Sequence, residues 1–269
     1  MKRGKKMVII IISILVALCL ITWGAITYLG RSQTLSVKSI ENFNDDLYLI
    51  RLTKPDNVTW EAGSYAQFTL HDVKENAQET TDVISSASMS NDKNKQNSGW
   101  LTIASNPNEN EIFILTHNSG SLYKKTLTSL SAGSKVEMSW LYSNLSVKDG
   151  EEPLVCFASD VGIAATRPII KKWAGKRSIV LSHLDKGVLV FDKELSQIAQ
   201  KYSNLDYSKS ANLSQSKKRL KHAAEQYGNK AIYLLAGHPG DTEAMKKFLE
   251  DKGIDSKQIK LDSFRGLKS

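Results

Sequence analysis

The feature that most constrains this chain's fold is a change of periodicity at Asp149-Gly150. Before it, from Leu35 to Val147, short runs rich in β-branched and aromatic residues are separated by polar turns. Leu47 to Leu52, Tyr65 to Leu70, Leu101 to Ala104, Ile112 to Leu115 and Lys135 to Met138 have strand length and strand composition. Spaced in this way they predict an antiparallel β-barrel or sandwich. Asp72 to Gly99 is too polar to bury and reads as a long exposed loop. A short helix is expected from Leu122 to Leu130. After Gly150 strands and helices alternate. Pro153 to Ala158, Ser178 to Ser182, Ala231 to Leu235 and Gln258 to Leu261 read as strands. Between them, Pro168 to Trp173 begins a helix with proline in the first turn, Leu195, Ile198, Ala199 and Tyr202 share one helical face, and Ala244, Met245, Phe248 and Leu249 share another. Asp241 is expected to cap that last helix and Gly253 to end it. Lys201 to Asn229 reads as polar and irregular, with a helix from Lys217 to Tyr227. Such alternation predicts a parallel sheet covered on both faces.

The amino terminus sets a second constraint. Met7 to Leu29 contains no charged side chain, and 23 helical residues reach about 34 Å, enough for a hydrocarbon core of about 30 Å. Residues 1–31 therefore read as a basic stub and a transmembrane anchor, followed by 32–149 as the barrel and 150–269 as the α/β domain. Lys2, Arg3, Lys5 and Lys6 precede the apolar run and only Arg31 closely follows it, which puts the N-terminus in the cytoplasm and the body outside. Trp23 and Tyr28 suit the outer headgroup layer; a cleaved signal peptide is the rival reading, but the apolar run is long for one and no clear small-x-small cleavage site follows.

The formal charge of +8 suggests nucleic acid, but without those five residues 31 bases face 28 acids. The basic cluster Lys217, Lys218, Arg219, Lys221, His222 reads as the solvated face of a helix, and no nucleic-acid partner is expected. Cys19 lies in the apolar run and Cys156 in a strand, so no disulfide framework exists. The five histidines lack metal-ligand spacing, and no metal is expected.

Seven segments, in order, carry a resemblance. Trp60-Glu61-Ala62-Gly63-Ser64-Tyr65-Ala66 is similar to an aromatic-x-proline-glycine-glutamine-tyrosine-valine lead into a barrel strand. Leu101 to Pro107 resembles a flavin-contacting strand, and Ser121-Leu122-Tyr123-Lys124, with Leu127, Leu130 and Gly133, resembles the helix that follows it. Ala158 to Pro168 is similar to a glycine-rich nucleotide turn, and Phe191 to Leu195 to a phenylalanine-x-x-glutamate-leucine helix start. Ala236-Gly237-His238-Pro239 with Met245 resembles cysteine-glycine-proline followed by methionine. Asp262-Ser263-Phe264-Arg265-Gly266 resembles a closing acid-x-phenylalanine-x-glycine. Together they resemble the ferredoxin-NADP reductase family of FAD-binding proteins.

That resemblance implies FAD between barrel and α/β domain. Thr102 would contact the ring, Trp100 or Tyr142 would stack on it, and Trp140 is a further aromatic candidate. Ser121 and Lys124 would hold phosphate, with Lys125 as an alternative cation. Gly162 would lie at the nucleotide turn, and Asp262 and Phe264 would close the catalytic site. The departures are equally specific. Gly99 stands where the family's diphosphate arginine would be, and Leu101 where its stacking aromatic would be. Ser159 and Asp160 replace paired glycines, and Ala236 replaces the reactive cysteine. Asp160 would repel a pyrophosphate that Arg167 only partly offsets, which argues against NAD(P)H. The expected function is a membrane-tethered, extracytoplasmic oxidoreductase passing electrons through FAD from a membrane-associated donor to an external acceptor. The alternative is a non-catalytic interaction module of the same fold in a membrane assembly.

Overall fold

A computed structural model describes residues 11, 12, 14–22, 24, 32–44, 46–71 and 97–264. Residues 11, 12, 14–22 and 24 are helical, with Ile11, Leu15, Leu20 and Ile21 each more than half exposed. No helix among the described residues is long and apolar enough to cross a membrane. The rest of the expected span, the segment 72–96 and Arg265-Gly266 lie outside the described residues.

The first body is an antiparallel barrel of β1 (Gln33–Asn44), β2 (Leu47–Thr53), β3 (Ser64–Leu70), β4 (Ser98–Thr102), β5 (Glu111–His117) and β6 (Lys135–Ser143). The strand order is β4-β3-β6-β1-β2-β5, and an antiparallel bridge between Ile103 and Ile114 closes the ends. Alternation does the folding: Ser64, Ala66, Phe68 and Leu70 are buried, while Tyr65, Gln67 and Thr69 between them are only partly covered. Ser98 and Gly99, expected in the exposed loop, belong to β4. Helix α1 (Leu122–Thr128) packs Tyr123 and Leu127 into the barrel end.

Five parallel strands form the second body: β7 (Leu154–Ser159), β8 (Ile179–Leu184), β9 (Leu205–Ser210), β10 (Ile232–Gly237) and β11 (Ile259–Ser263), in the order β11-β10-β7-β8-β9. Helices α2 (Ile163–Trp173) and α3 (Asp192–Lys201) cover the face nearer the barrel; α4 (Leu213–Tyr227) and α5 (Pro239–Glu250) cover the other. Three expectations need correction. Pro168 lies inside α2, because the buried run Ile163-Ala164-Ala165 carries the helix back to the end of β7. His238, not Asp241, caps α5, its Nδ1 accepting from the Gly240 N–H at 3.2 Å. The segment expected to be irregular contains β9, a polar edge strand, and a full α4. Gly253 does end α5: it takes φ +84°, and the Ile254 N–H donates to the Leu249 carbonyl.

The two bodies share one core. Leu47, Leu49, Phe113 and Leu115 of the barrel belong to the same buried apolar cluster as Cys156, Ala158, Ile169 and Leu181. Cys156 is core material, and burial pushes its thiol up to about 12. Across this seam runs a polar join. Arg167, its side chain 3% exposed, donates to Glu109 in the loop before β5 at 2.8 Å and to Glu194 of α3 at 2.6 Å; Lys171 reaches the same two carboxylates. The arginine also lies over the rings of Phe113 and Phe191. Burial alone would raise the Glu109 carboxyl, but hydrogen bonds from Arg167 and Lys171 hold it at about 2.

A second join is made by His117. Its Nδ1 lies 2.8 Å from Asp46 Oδ1 in the barrel and its Nε2 lies 2.7 Å from Asp160 Oδ1 in the turn after β7. Two carboxylate partners favour the doubly protonated ring. Burial opposes that charge, yet Asp160 and Asp46 outweigh it and raise His117 above its ordinary value.

Removing one partner of a buried charge network strands the others. Arg167→Ala is expected to cost about 3–5 kcal/mol, read from denaturant unfolding. For His117 the folded-state value is the higher one, so its contribution to stability is full below about pH 6.5 and is lost as pH rises through the raised value. Unfolding followed from pH 6 to 9 should show that loss in the native chain, and His117→Gln should flatten it.

Candidate functional site

On the outer face of the barrel, the pleat of β3 and β4 sets Tyr65, Gln67, Trp100 and Thr102 on one side, with Tyr65 opposite Thr102 and Gln67 opposite Trp100. Strand β6 joins them through a bulge: Tyr65 faces Tyr142 while Gln67 faces Ser139, so β6 carries one extra residue. Trp140 takes φ +52° within that bulge, and the kink brings Tyr142 onto the face with Tyr65. Trp100 and Tyr142 are 51% and 44% exposed. Ring centroids lie 5.7 Å apart for Tyr65–Trp100, 6.1 Å for Tyr65–Tyr142 and 5.7 Å for Trp100–Tyr142.

Facing these rings is the end of the parallel sheet. Leu261, Asp262, Ser263 and Phe264 form the other wall of a cleft of about 810 Å³, whose barrel side includes Tyr65, Trp100, Thr102, Tyr142 and Asn144. Phe264 is fixed by its N–H, which donates to the Gly237 carbonyl at 2.9 Å. Asn144 Nδ2 donates to Asp262 Oδ1 at 3.1 Å, tying the walls together, while Asp262 Oδ2 is buried with no hydrogen-bond partner among the described residues. Burial raises the Asp262 carboxyl and the Asn144 hydrogen bond only partly offsets it, so this acid holds its proton more readily than an exposed aspartate. Two aromatic surfaces, a threonine hydroxyl, an amide and an acid of raised pKa suit a planar heteroaromatic ligand.

Trp100, Thr102, Tyr142, Asp262 and Phe264, all expected at the site, therefore meet in one cleft. Ser121, Lys124 and Gly162 do not line it. Ser121 caps α1, its Oγ accepting from the Lys124 N–H at 3.2 Å. Lys124 Nζ donates to Thr116 Oγ1, and burial pushes the ammonium down to about 8. Gly162 is required by packing: a Cβ there would lie 2.2 Å from the Ala236 carbonyl oxygen. Gly99 has a similar reason. A Cβ would lie 2.4 Å from the ring of Tyr123, whose hydroxyl donates to the Phe68 carbonyl. No arginine fits at Gly99 while Tyr123 covers the strand. Leu101, aligned with the family's stacking position, turns into the barrel core beside Ile103. Trp100 takes the outward place.

The first turn of the parallel sheet is likewise filled from within. Ser159 Oγ accepts from the His238 N–H at 3.1 Å, and Asp160, at φ +53°, gives its carboxylate to His117. Arg167, read as partial compensation for phosphate repulsion, is spent on Glu109 and Glu194 instead. Tyr65 and Asn144 went unassigned in the sequence. The alternation around Tyr65 puts it on the strand's outer face, whereas nothing local marks Asn144, which acts only once the end of β6 meets β11 across the cleft.

No protein-family profile matches the chain, and no curated protein matches it by sequence. Solved structures do. The chain is similar to a cytochrome P450 reductase from Amycolatopsis at TM-score 0.65 and 15% identity, covering 87% of this chain and 71% of that one. It is similar to a ferredoxin NADP+ reductase from Neisseria gonorrhoeae, solved with bound FAD and NADP, at TM-score 0.65 and 11% identity over 86% and 98% of the two chains. A flavohem-like FAD/NAD binding domain of nitric oxide dioxygenase from Vibrio cholerae matches at TM-score 0.60 and 14% identity, again over 86% and 98%. At these identities the likeness carries the fold, and the chain has the barrel and parallel α/β sheet of the ferredoxin-NADP reductase-like proteins.

Proposed function

We propose that this chain is a flavin-dependent electron-transfer oxidoreductase that holds the isoalloxazine ring of FAD in the cleft between barrel and parallel sheet. The observation that carries the reading is the cleft itself: Trp100, Tyr142 and Asn144 exposed along it, with the buried Thr102 and Asp262 inside. These residues fit the ring. Trp100 and Tyr142 supply faces for stacking, worth about 0.5–1.5 kcal/mol beyond area burial. Thr102 has a hydroxyl for a ring heteroatom, and the Asn144–Asp262 hydrogen bond sets an amide beside it. A bound flavin supplies one- and two-electron chemistry; the protein positions it and tunes it through such hydrogen bonds. Phe264 and Leu261 add apolar surface to the wall from the parallel sheet.

Nicotinamide is disfavoured as the donor, because Asp160 with His117 fills the first turn of the sheet and Ala236 stands where a thiol would be. The donor we favour is membrane-associated: the uncharged run from Met7 to Leu29 and the basic residues before it support a single-pass anchor with the body outside the cytoplasm. A non-catalytic interaction module is the second reading, favoured by the same filled turn and by the exposure of Trp100 and Tyr142, which suits a protein partner as well as a ring.

Full-length protein purified from its own membranes should show flavin absorption. Trp100→Ala should lower its flavin content, and Thr102→Val should weaken flavin binding by about 0.5–1.5 kcal/mol in titration. A colourless protein that takes up no added flavin would favour the interaction module. For topology, protease added to intact cells should digest the body and spare a tag fused at Met1; loss of the tag would reverse the orientation.

A further inference from the structure

We propose that the cleft recognises flavin by its ring and not by its phosphates, so that it takes phosphate-free flavins of the riboflavin class as well as it takes FAD. The inference rests on the flavin reading above and narrows it. Among the described residues the cleft lining contains no lysine, arginine or histidine; its polar side chains are hydroxyls, the Asn144 amide and Asp262.

Among the described residues, the nearby groups that a diphosphate would use are already engaged. The place of a diphosphate-binding arginine is Gly99, closed by the Tyr123 ring. Lys124 is turned to Thr116 and loses charge readily because it is buried. The Ser121 hydroxyl accepts from its own helix, which has seven residues and offers little dipole. Arg167 and Lys171 are bound to Glu109 and Glu194. A phosphate arriving here gains no charge-assisted hydrogen bond from these cations. The ring loses nothing by these substitutions, since its contacts are the aromatic faces, Thr102 and the Asn144–Asp262 pair.

Calorimetric titration of the full chain, stripped of flavin, with riboflavin, FMN and FAD tests this. The expected result is three dissociation constants within tenfold of one another, a spread under about 1.4 kcal/mol. FAD binding should be unchanged by raising salt, because, among the described residues, Arg167 and Lys171 are held by Glu109 and Glu194 and offer no ion pair to be screened. Trp100→Ala should weaken riboflavin and FAD by the same factor, and Lys124→Gln should leave the ratio of the two unchanged. FAD binding tenfold or more tighter than riboflavin, or a Lys124→Gln variant that loses FAD selectively, would overturn the proposal and leave the flavin reading standing. Failure of all three flavins to bind would overturn both.

Discussion

The geometry of this molecule depends on Arg167. It is a cation almost wholly removed from water, and it is held by one carboxylate from the barrel and one from the α/β body, with Lys171 completing the set. Desolvation consumes much of what such an arrangement gains, so its value lies less in net stability than in the single relative placement of two bodies that satisfies every partner. The apolar cluster spanning the seam holds the bodies together without direction, because burial is indifferent to orientation. Arg167 supplies the direction. His117, between Asp46 and Asp160, repeats the device nearby.

One consequence is that the cleft is a preformed feature. Its two walls belong to different bodies, and their spacing follows from the seam and from the Asn144–Asp262 bond. A second consequence concerns the end of the parallel sheet, where backbone N–H groups in such folds are free to receive an anion. Here that place is occupied by the chain's own groups: Ser159 serves His238, and Asp160 serves His117. The α/β body thus supports the barrel and contributes the Asp262 wall, and the aromatic chemistry is gathered on the barrel.

Much of the fold was legible because periodicity is a local property. The strands around Phe68, Ile114 and Phe157 and the helical stripe through Met245 follow from spacing alone, and each is present. Strand β9 was not legible: its sequence Leu205-Asp206-Tyr207-Ser208-Lys209-Ser210 is that of a polar edge, and pairing with β8 alone makes it a strand. Pro168 misled for a related reason, since burial of Ile163 to Ala165 outweighs the cost of an interior proline. Within the cleft, Thr102, Asp262 and Phe264 were singled out through their resemblance to known segments, and Trp100 and Tyr142 as aromatics standing beside or in place of motif residues the chain lacks. Ser121, Lys124 and Gly162 carried the same resemblance yet do not line the cleft, because a motif records residue type and spacing but not whether neighbours have already claimed the atoms. Arg167 shows the same limit: an arginine beside a helix start looks like a surface residue until Glu109 and Glu194, far away in sequence, close over it.

The central claim is that a rigid seam presents an aromatic cleft shaped for a flavin ring. A crystal structure of the full chain with oxidised riboflavin tests it most directly. The account predicts ring density in the cleft, within about 4 Å of Trp100 or Tyr142 and in contact with Thr102, with the Arg167–Glu109 and Arg167–Glu194 bonds unchanged. Flavin bound at the turn around Asp160, or a cleft that closes or opens by rearrangement of the Arg167 network, would contradict it.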